Sequence, residues 1–73
     1  MRIRISSAEL IDELLASLRA GPGAVVEQIS DDEAEVTLLG SYQEDALRME
    51  LDLRLRAWEA AHSACRVHVE IVG

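Results

Sequence analysis

The chain has 73 residues, of which 14 are acidic and 7 are basic, so its formal net charge is -7. A chain of this length supports one hydrophobic core, and we expect residues 1–73 to form a single domain. The acidic balance and the presence of two aromatic residues, Tyr42 and Trp58, argue against nucleic-acid binding, which needs clustered cations and stacking rings.

The sequence also bears on the cellular setting. The single cysteine, Cys65, has no second cysteine with which to form an internal disulfide. No apolar run approaches the roughly 20 residues of a membrane span, and the first residues do not resemble a signal peptide. We therefore expect a cytoplasmic protein without a membrane partner. All seven basic residues are Arg, which suggests a GC-rich bacterial genome.

The first third of the chain has the pattern of a strand followed by a helix. Residues 1–5 have the period of a half-buried strand, with Ile3 and Ile5 on one face and Arg2 and Arg4 on the other. Ser6-Ser7-Ala8-Glu9 has the form of a capping box that begins a helix. Gly21-Pro22-Gly23 ends that helix, because a glycine supplies a left-handed C-cap and proline prevents continuation. The helix carries one apolar stripe, formed by Leu10, Ile11, Leu14, Leu15 and Leu18.

Three further strands are predicted. Residues 24–29 are rich in β-formers, the turn cluster Ser30-Asp31-Asp32 follows, and residues 33–39 alternate again. This arrangement predicts a hairpin. Residues 65–72 close the chain as a strand in which Val67, Val69 and Ile71 share one face.

The segment between the hairpin and the last strand allows two interpretations. Residues 47–56 alternate apolar and polar side chains, which taken alone predicts a strand and a mainly antiparallel β protein. The segment lacks β-branched residues, however, and Ser41-Tyr42-Gln43-Glu44 forms a second capping box. Acid-before-base pairs four residues apart also favour a helix, namely Glu44–Arg48, Glu50–Arg54 and Asp52–Arg56. We predict a helix over residues 42–62.

The resulting order, β-α-β-β-α-β, resembles the ferredoxin-like split βαβ arrangement. The resemblance implies an α+β domain in which two helices cover one face of a four-stranded antiparallel sheet. It also implies that the first and third strands are central. This fold supports many unrelated functions, so it identifies none by itself. The predicted core consists of Ile3, Ile5, Leu10, Leu14, Leu18, Val36, Leu38, Leu51, Leu55, Trp58, Val67, Val69 and Ile71.

The predicted second helix carries two apolar stripes. One contains Leu47, Leu51, Leu55 and Trp58, and the other, roughly 150° away on a helical wheel, contains Tyr42, Ala46, Met49, Leu53 and Ala60. A helix on a sheet buries one stripe, so the second predicts an interface, most often a symmetric homodimer. One alternative is a helix with a wide core-facing side. Another is self-association through the edge strand 65–72.

Other polar groups have ordinary structural explanations. The remaining sheet face is expected to carry Arg2, Arg4, Glu33, Glu35, His68 and Glu70 as a charged, solvated surface. His62, Cys65 and His68 are residue types that bind zinc, but a strand would direct Cys65 and His68 to different faces. We therefore assign no metal and no cofactor. No nucleophile has a base and an orienting third group, so no catalytic residue is assigned either.

These patterns predict a small non-enzymatic protein-interaction module, associating with itself or with another protein. The order of elements also resembles the ACT domains that sense amino acids. That resemblance implies the alternative of a regulatory domain binding a small molecule at a dimer interface. It covers the order of elements alone and is matched to no ligand-contacting residue of this chain.

Overall fold

A computed structural model describes residues 1–21, 23–40 and 43–72. The strands are β1 (Arg2–Ile5), β2 (Ala24–Gln28), β3 (Glu33–Leu38) and β4 (Val69–Ile71), and the helices are α1 (Ile11–Ala20) and α2 (Glu44–Ala61). All strand pairs are antiparallel, in the order β2-β3-β1-β4, so β1 and β3 are central. The protein is an α+β domain with a four-stranded antiparallel sheet and two helices.

One hydrophobic cluster joins the sheet to both helices. Because both helices contribute to it, they cover the same sheet face. Leu10 and Ile71, predicted as core, lie partly buried at its margin. The buried residues are Ile3, Ile5, Ile11, Leu14, Leu15, Leu18, Ala34, Val36, Leu38, Leu51, Leu55, Trp58, Val67 and Val69.

The ambiguous segment is helical, so the strand interpretation of residues 47–56 is wrong. Leu51 and Leu55, four residues apart, are both fully buried. On the helix surface Arg54 pairs with Glu50 and Arg56 pairs with Asp52 at the predicted four-residue spacing. Tyr42 and the first residue of the second capping box lie outside the described residues.

The first capping box is not formed. Ser7 precedes a short 3-10 turn, Ala8–Leu10, without a side-chain capping bond, and α1 begins at Ile11. Instead, the Ser6 hydroxyl accepts a hydrogen bond from the amide of His68 at 2.8 Å. The Ser6 amide in turn donates to the His68 carbonyl at 2.8 Å. Ser6 therefore continues the contact between β1 and the last strand.

The last strand is shorter than the predicted range 65–72. A 3-10 turn occupies Ser63–Cys65, and Arg66 then adopts a left-handed conformation with φ of 52°. This turn redirects the chain from the end of α2 to the sheet edge, so extended pairing begins only at Val69. Val67 still reaches the core.

The left-handed glycine near the end of α1 also differs from expectation. Gly21, the C-cap, is extended, whereas Gly23 has φ of 71°. A side chain at Gly23 would be strained, because L-residues rarely adopt that conformation. Pro22 lies outside the described residues.

Candidate interaction surface

The face of α2 that points away from the core is apolar. Its exposed residues are spaced by 3, 4, 4 and 3 positions, and at about 100° per residue they occupy an arc of about 80° opposite Leu51. Met49 and Leu53 are 67% and 61% exposed. This surface is called the outward strip, and it consists of Ala46, Met49, Leu53, Ala57 and Ala60.

The sides of α2 explain why the strip is exposed. Leu51 and Leu55 face the sheet, Arg54 lies towards α1, and Glu59 lies towards β4. Within residues 1–21, 23–40 and 43–72, no helix or strand covers the outward strip. The alternative of one wide core-facing side is therefore wrong for Met49 and Leu53.

Four of the five predicted interface residues are exposed, and the fifth lies outside the described residues. Ala46, Met49, Leu53 and Ala60 are exposed members of the strip, and Tyr42 lies outside the described residues. Ala57 was not predicted. Its position four residues after Leu53 is the signal that could have identified it.

Two ion pairs border the outward strip. On the side towards α1, Arg54 Nη2 lies 3.2 Å from Glu50 Oε1. On the side towards β4, Arg56 Nη2 lies 3.3 Å from Asp52 Oδ1. Each border thus carries an acid four residues before a base. Both acidic side chains are about half exposed, which leaves them accessible to further partners.

Polar side chains of α2 occupy the outer edge of β4. The Val69 amide donates to Glu59 Oε2 at 2.6 Å, and Arg56 Nη2 donates to the Val69 carbonyl at 2.8 Å. Glu59 also binds Arg56 through its other oxygen at 2.6 Å. The side chain of Glu59 is only 16% exposed, so this network is partly shielded from solvent.

The charge of Arg56 is stabilised by its neighbours. Burial alone would lower the pKa of Arg56, but the hydrogen bond and charge of Glu59, together with Asp52, outweigh burial and raise the pKa above its ordinary value. A raised folded-state pKa means that this stabilisation is fully present below the unfolded-state pKa. It is lost only as pH rises through the folded-state value, above the ordinary pH range.

This network bears on self-association through the last strand. In the β1–β4 ladder the backbone groups of His68 and Val72 form hydrogen bonds with β1. The backbone groups of Val69 and Ile71 therefore point outward, away from β1. Both outward groups of Val69 are already bonded to α2. Adding a strand at β4 would require displacement of Arg56 and Glu59. The structure therefore argues against the predicted pairing along residues 65–72.

The other edge strand, β2, is less covered. Register with β3 directs the backbone groups of Ala24, Val26 and Gln28 outward. Among the described residues, the side chain that approaches them is Arg19, whose Nη2 lies 3.4 Å from the Val26 carbonyl oxygen. This long contact protects the edge weakly, so β2 is a competing surface that an experiment on self-association must test.

The open sheet face is charged, as predicted. Arg4 lies between Glu33 of β3 and Glu70 of β4. Its Nη2 is 3.7 Å from Glu33 Oε2, and Glu70 is its register partner. Arg2 is the register partner of Glu35. His68 does not join this face as predicted, because its imidazole Nδ1 lies 3.1 Å from Glu59 of α2. On the β3 and β4 sides of β1 this face pairs opposite charges, whereas Glu27 of β2 lies beside Glu35 of the same sign.

The residues considered for zinc are not brought together. His62 stacks on Trp58 with ring centroids 4.2 Å apart, and its Nε2 lies 3.3 Å from Glu13. His68 contacts Glu59, and Cys65 is exposed. Within residues 1–21, 23–40 and 43–72, no three His, Cys, Asp or Glu side chains are grouped to hold a metal ion.

A groove of about 670 Å³ separates the two helices. Its lining includes Glu13 from α1 and Arg54, Trp58 and His62 from the α2 side. The groove lies beside the outward strip rather than beneath it.

No helix in the described part of the chain is long and apolar enough to cross a membrane. Comparisons with protein-family models, characterised proteins and solved structures found no match. The outward strip is therefore interpreted from its own geometry and charge.

Proposed function

We propose that this protein is a small non-enzymatic interaction module that self-associates through the outward strip of α2. The observation that carries the proposal is the uninterrupted series of apolar side chains from Ala46 to Ala60, exposed on the helix face opposite the core. At 1.5 Å per residue this series extends for about 21 Å. Contiguous exposed apolar surface of this kind is typical of a contact site.

The energetic benefit is concentrated in two side chains. Fully burying a Leu or Met side chain contributes about 1.5–3 kcal/mol relative to leaving it exposed. In a symmetric pair, Met49 and Leu53 each contribute twice. A domain of this size buries only about 60% of its unfolded surface, so association adds stability that the single chain lacks.

The small residues of the strip favour a helix as the partner surface. Ala46, Ala57 and Ala60 allow close approach of a second helix, within the usual interaxial distance of about 8–10 Å. A second copy of α2 presents the same narrow strip. We accordingly propose a homo-oligomer and assign no catalytic role to any residue.

We further propose that the fold is the ferredoxin-like arrangement. The strand order β2-β3-β1-β4, with β1 and β3 central, supports it. Both helices contribute to one core cluster, as that arrangement requires. The function rests on the surface of α2 and not on this assignment.

Leu53→Asp tests the proposed surface. We expect the wild-type protein at micromolar concentration to have twice the mass of one chain by light scattering after size exclusion. Leu53→Asp should be monomeric with an unchanged far-ultraviolet circular dichroism spectrum, because a carboxylate in the contact would lose its hydration. A monomeric wild type would refute self-association.

Val25→Asp is the matched control. Val25 is 53% exposed but lies on the open face of β2, away from the outward strip. We expect this variant to remain a dimer. A Leu53→Asp protein that is still dimeric would rule out the outward strip, and a Val25→Asp protein that becomes monomeric would place the contact on the open sheet face.

A further inference from the structure

We propose that two copies of α2 pair antiparallel, with the two-fold axis of the dimer passing beside Leu53. This inference rests on the proposed self-association and adds the partner's orientation. Two observations on α2 carry it independently: the order of large and small side chains along the outward strip, and the order of charges along its two borders.

The first observation concerns side-chain volume. When the two-fold axis of an antiparallel pair passes beside Leu53, a residue n positions before Leu53 lies opposite the partner residue n positions after it. Met49 then lies opposite the partner's Ala57, and Ala46 lies opposite the partner's Ala60. A large side chain thus meets a small one on either side of the central leucine pair. Parallel pairing would instead place methionine against methionine and alanine against alanine.

The second observation concerns charge. In an antiparallel two-fold pair, each border of one helix faces the same border of the partner helix, with the order of its residues reversed. Reversal brings Glu50 beside the partner's Arg54, and Asp52 beside the partner's Arg56. The axial offset is about 3 Å in both cases, and the half-exposed side chains of Glu50 and Asp52 are positioned to span it. One like-charge pair has the same offset on each border, Arg54 with the partner's Arg54 and Asp52 with the partner's Asp52. Opposite-charge pairs therefore outnumber like-charge pairs two to one on each border.

Parallel pairing gives the opposite electrostatic result. In a parallel pair the two-fold axis runs along the helices. The border towards α1 of one helix then faces the border towards β4 of the partner, and residues of equal number lie at the same height. Glu50 would then lie beside the partner's Asp52, and Arg54 beside the partner's Arg56. Asp52 and the partner's Arg54 would form one opposite-charge pair at the same offset of about 3 Å, so like-charge pairs outnumber opposite-charge pairs two to one. Like charges beside an apolar contact oppose association. The ion pairs that border the outward strip therefore select the antiparallel orientation.

Engineered cysteines distinguish the two orientations. In a Cys65→Ser background, Leu53→Cys should form a disulfide with itself on mild oxidation, because the two-fold axis brings both copies together. Ala46→Cys and Ala60→Cys should each remain uncrosslinked alone and should crosslink when the two proteins are mixed. Self-crosslinking of Ala46→Cys would establish a parallel pair and overturn the proposal.

The outcomes also separate this inference from the proposed function. If the Cys65→Ser protein is monomeric by light scattering, self-association itself fails. If that protein is dimeric but none of the cysteine variants crosslinks, the contact lies elsewhere and both proposals are wrong.

Glu50→Arg gives an independent test of orientation. In the antiparallel pair the new arginine lies beside the partner's Arg54, so we expect the dimer Kd to rise by about tenfold at low salt. In a parallel pair it would lie beside the partner's Asp52, and the Kd would fall. Glu27→Arg makes the same change in net charge on the open sheet face and should leave the Kd within about twofold.

Discussion

Ser6 shows how one hydroxyl connects distant parts of the chain. It follows β1 directly, and it exchanges two hydrogen bonds with His68, each 2.8 Å long. These residues are 62 positions apart in the sequence. The side-chain bond therefore stabilises the β1–β4 contact and not the start of a helix.

Ser6→Ala should lower the free energy of unfolding by about 1 kcal/mol, the usual contribution of one such hydrogen bond. We expect amide hydrogen exchange to accelerate at His68 and to stay unchanged in the first turn of α1. Ser7→Ala is the matched control, because Ser7 makes no side-chain capping bond. Faster exchange in α1 in the Ser6→Ala protein would mean that Ser6 does cap the helix.

At the scale of elements, α2 and β4 depend on each other through Arg56 and Glu59. The helix supplies a donor and an acceptor to the outward backbone groups of Val69. Because β4 is only three residues long, it forms few backbone hydrogen bonds with β1. The bonds from α2 therefore provide a large share of what holds β4 at the sheet edge.

Glu59→Ala should lower the free energy of unfolding by about 1–3 kcal/mol, because the Val69 amide and Arg56 lose their acceptor. Urea denaturation measures this change, and we expect faster hydrogen exchange at Val69. Glu27→Ala, which removes an exposed acid from the open sheet face, should change stability by less than about 0.5 kcal/mol. Unchanged exchange at Val69 in the Glu59→Ala protein would contradict the assigned role.

The elements differ in how far local sequence determines them. The helix over Glu44–Ala61 was predictable because its composition and its four-residue ion pairs outweigh the alternation of residues 47–56. The length of β4 was not, because the left-handed turn occurs at Arg66 rather than at a glycine or asparagine. The first capping box failed because its hydroxyl has a tertiary partner that local spacing cannot reveal.

The same distinction applies to the candidate site. Most of the outward strip was predictable from helical periodicity, because Ala46, Met49, Leu53 and Ala60 recur at spacings of 3, 4 and 7 residues. Ala57 was missed because alanine is common on every side of a helix. The contact of Arg56 with Val69 was missed because helical spacing links Arg56 only to residues of its own helix, Asp52 and Glu59. Its second partner depends on how β4 approaches α2.

At the scale of the whole molecule, the proposed self-association predicts that folding and association are coupled. A contact made only by the folded chain adds to its stability in proportion to the logarithm of concentration. We expect the thermal unfolding midpoint of the wild type to rise with protein concentration. Differential scanning calorimetry over a hundredfold range should show the rise, whereas Leu53→Asp should have one midpoint throughout.

Ser6→Ala provides the control for this measurement. It lies away from the outward strip, so its midpoint should be lower than that of the wild type at every concentration while the slope is retained. A wild-type midpoint independent of concentration would contradict the coupling.

The central position of β1 has a consequence for how the chain matures on the ribosome. β1 can pair with β3 once the hairpin has emerged, but its other side awaits β4, the last strand to be synthesised. During that interval β1 is a temporary sheet edge, open to neighbouring nascent chains. Arg2 and Arg4 alternate along it, and charged side chains on an edge disfavour pairing with another chain. We therefore expect Arg2 and Arg4 to disfavour pairing of this edge with another chain until β4 joins the sheet.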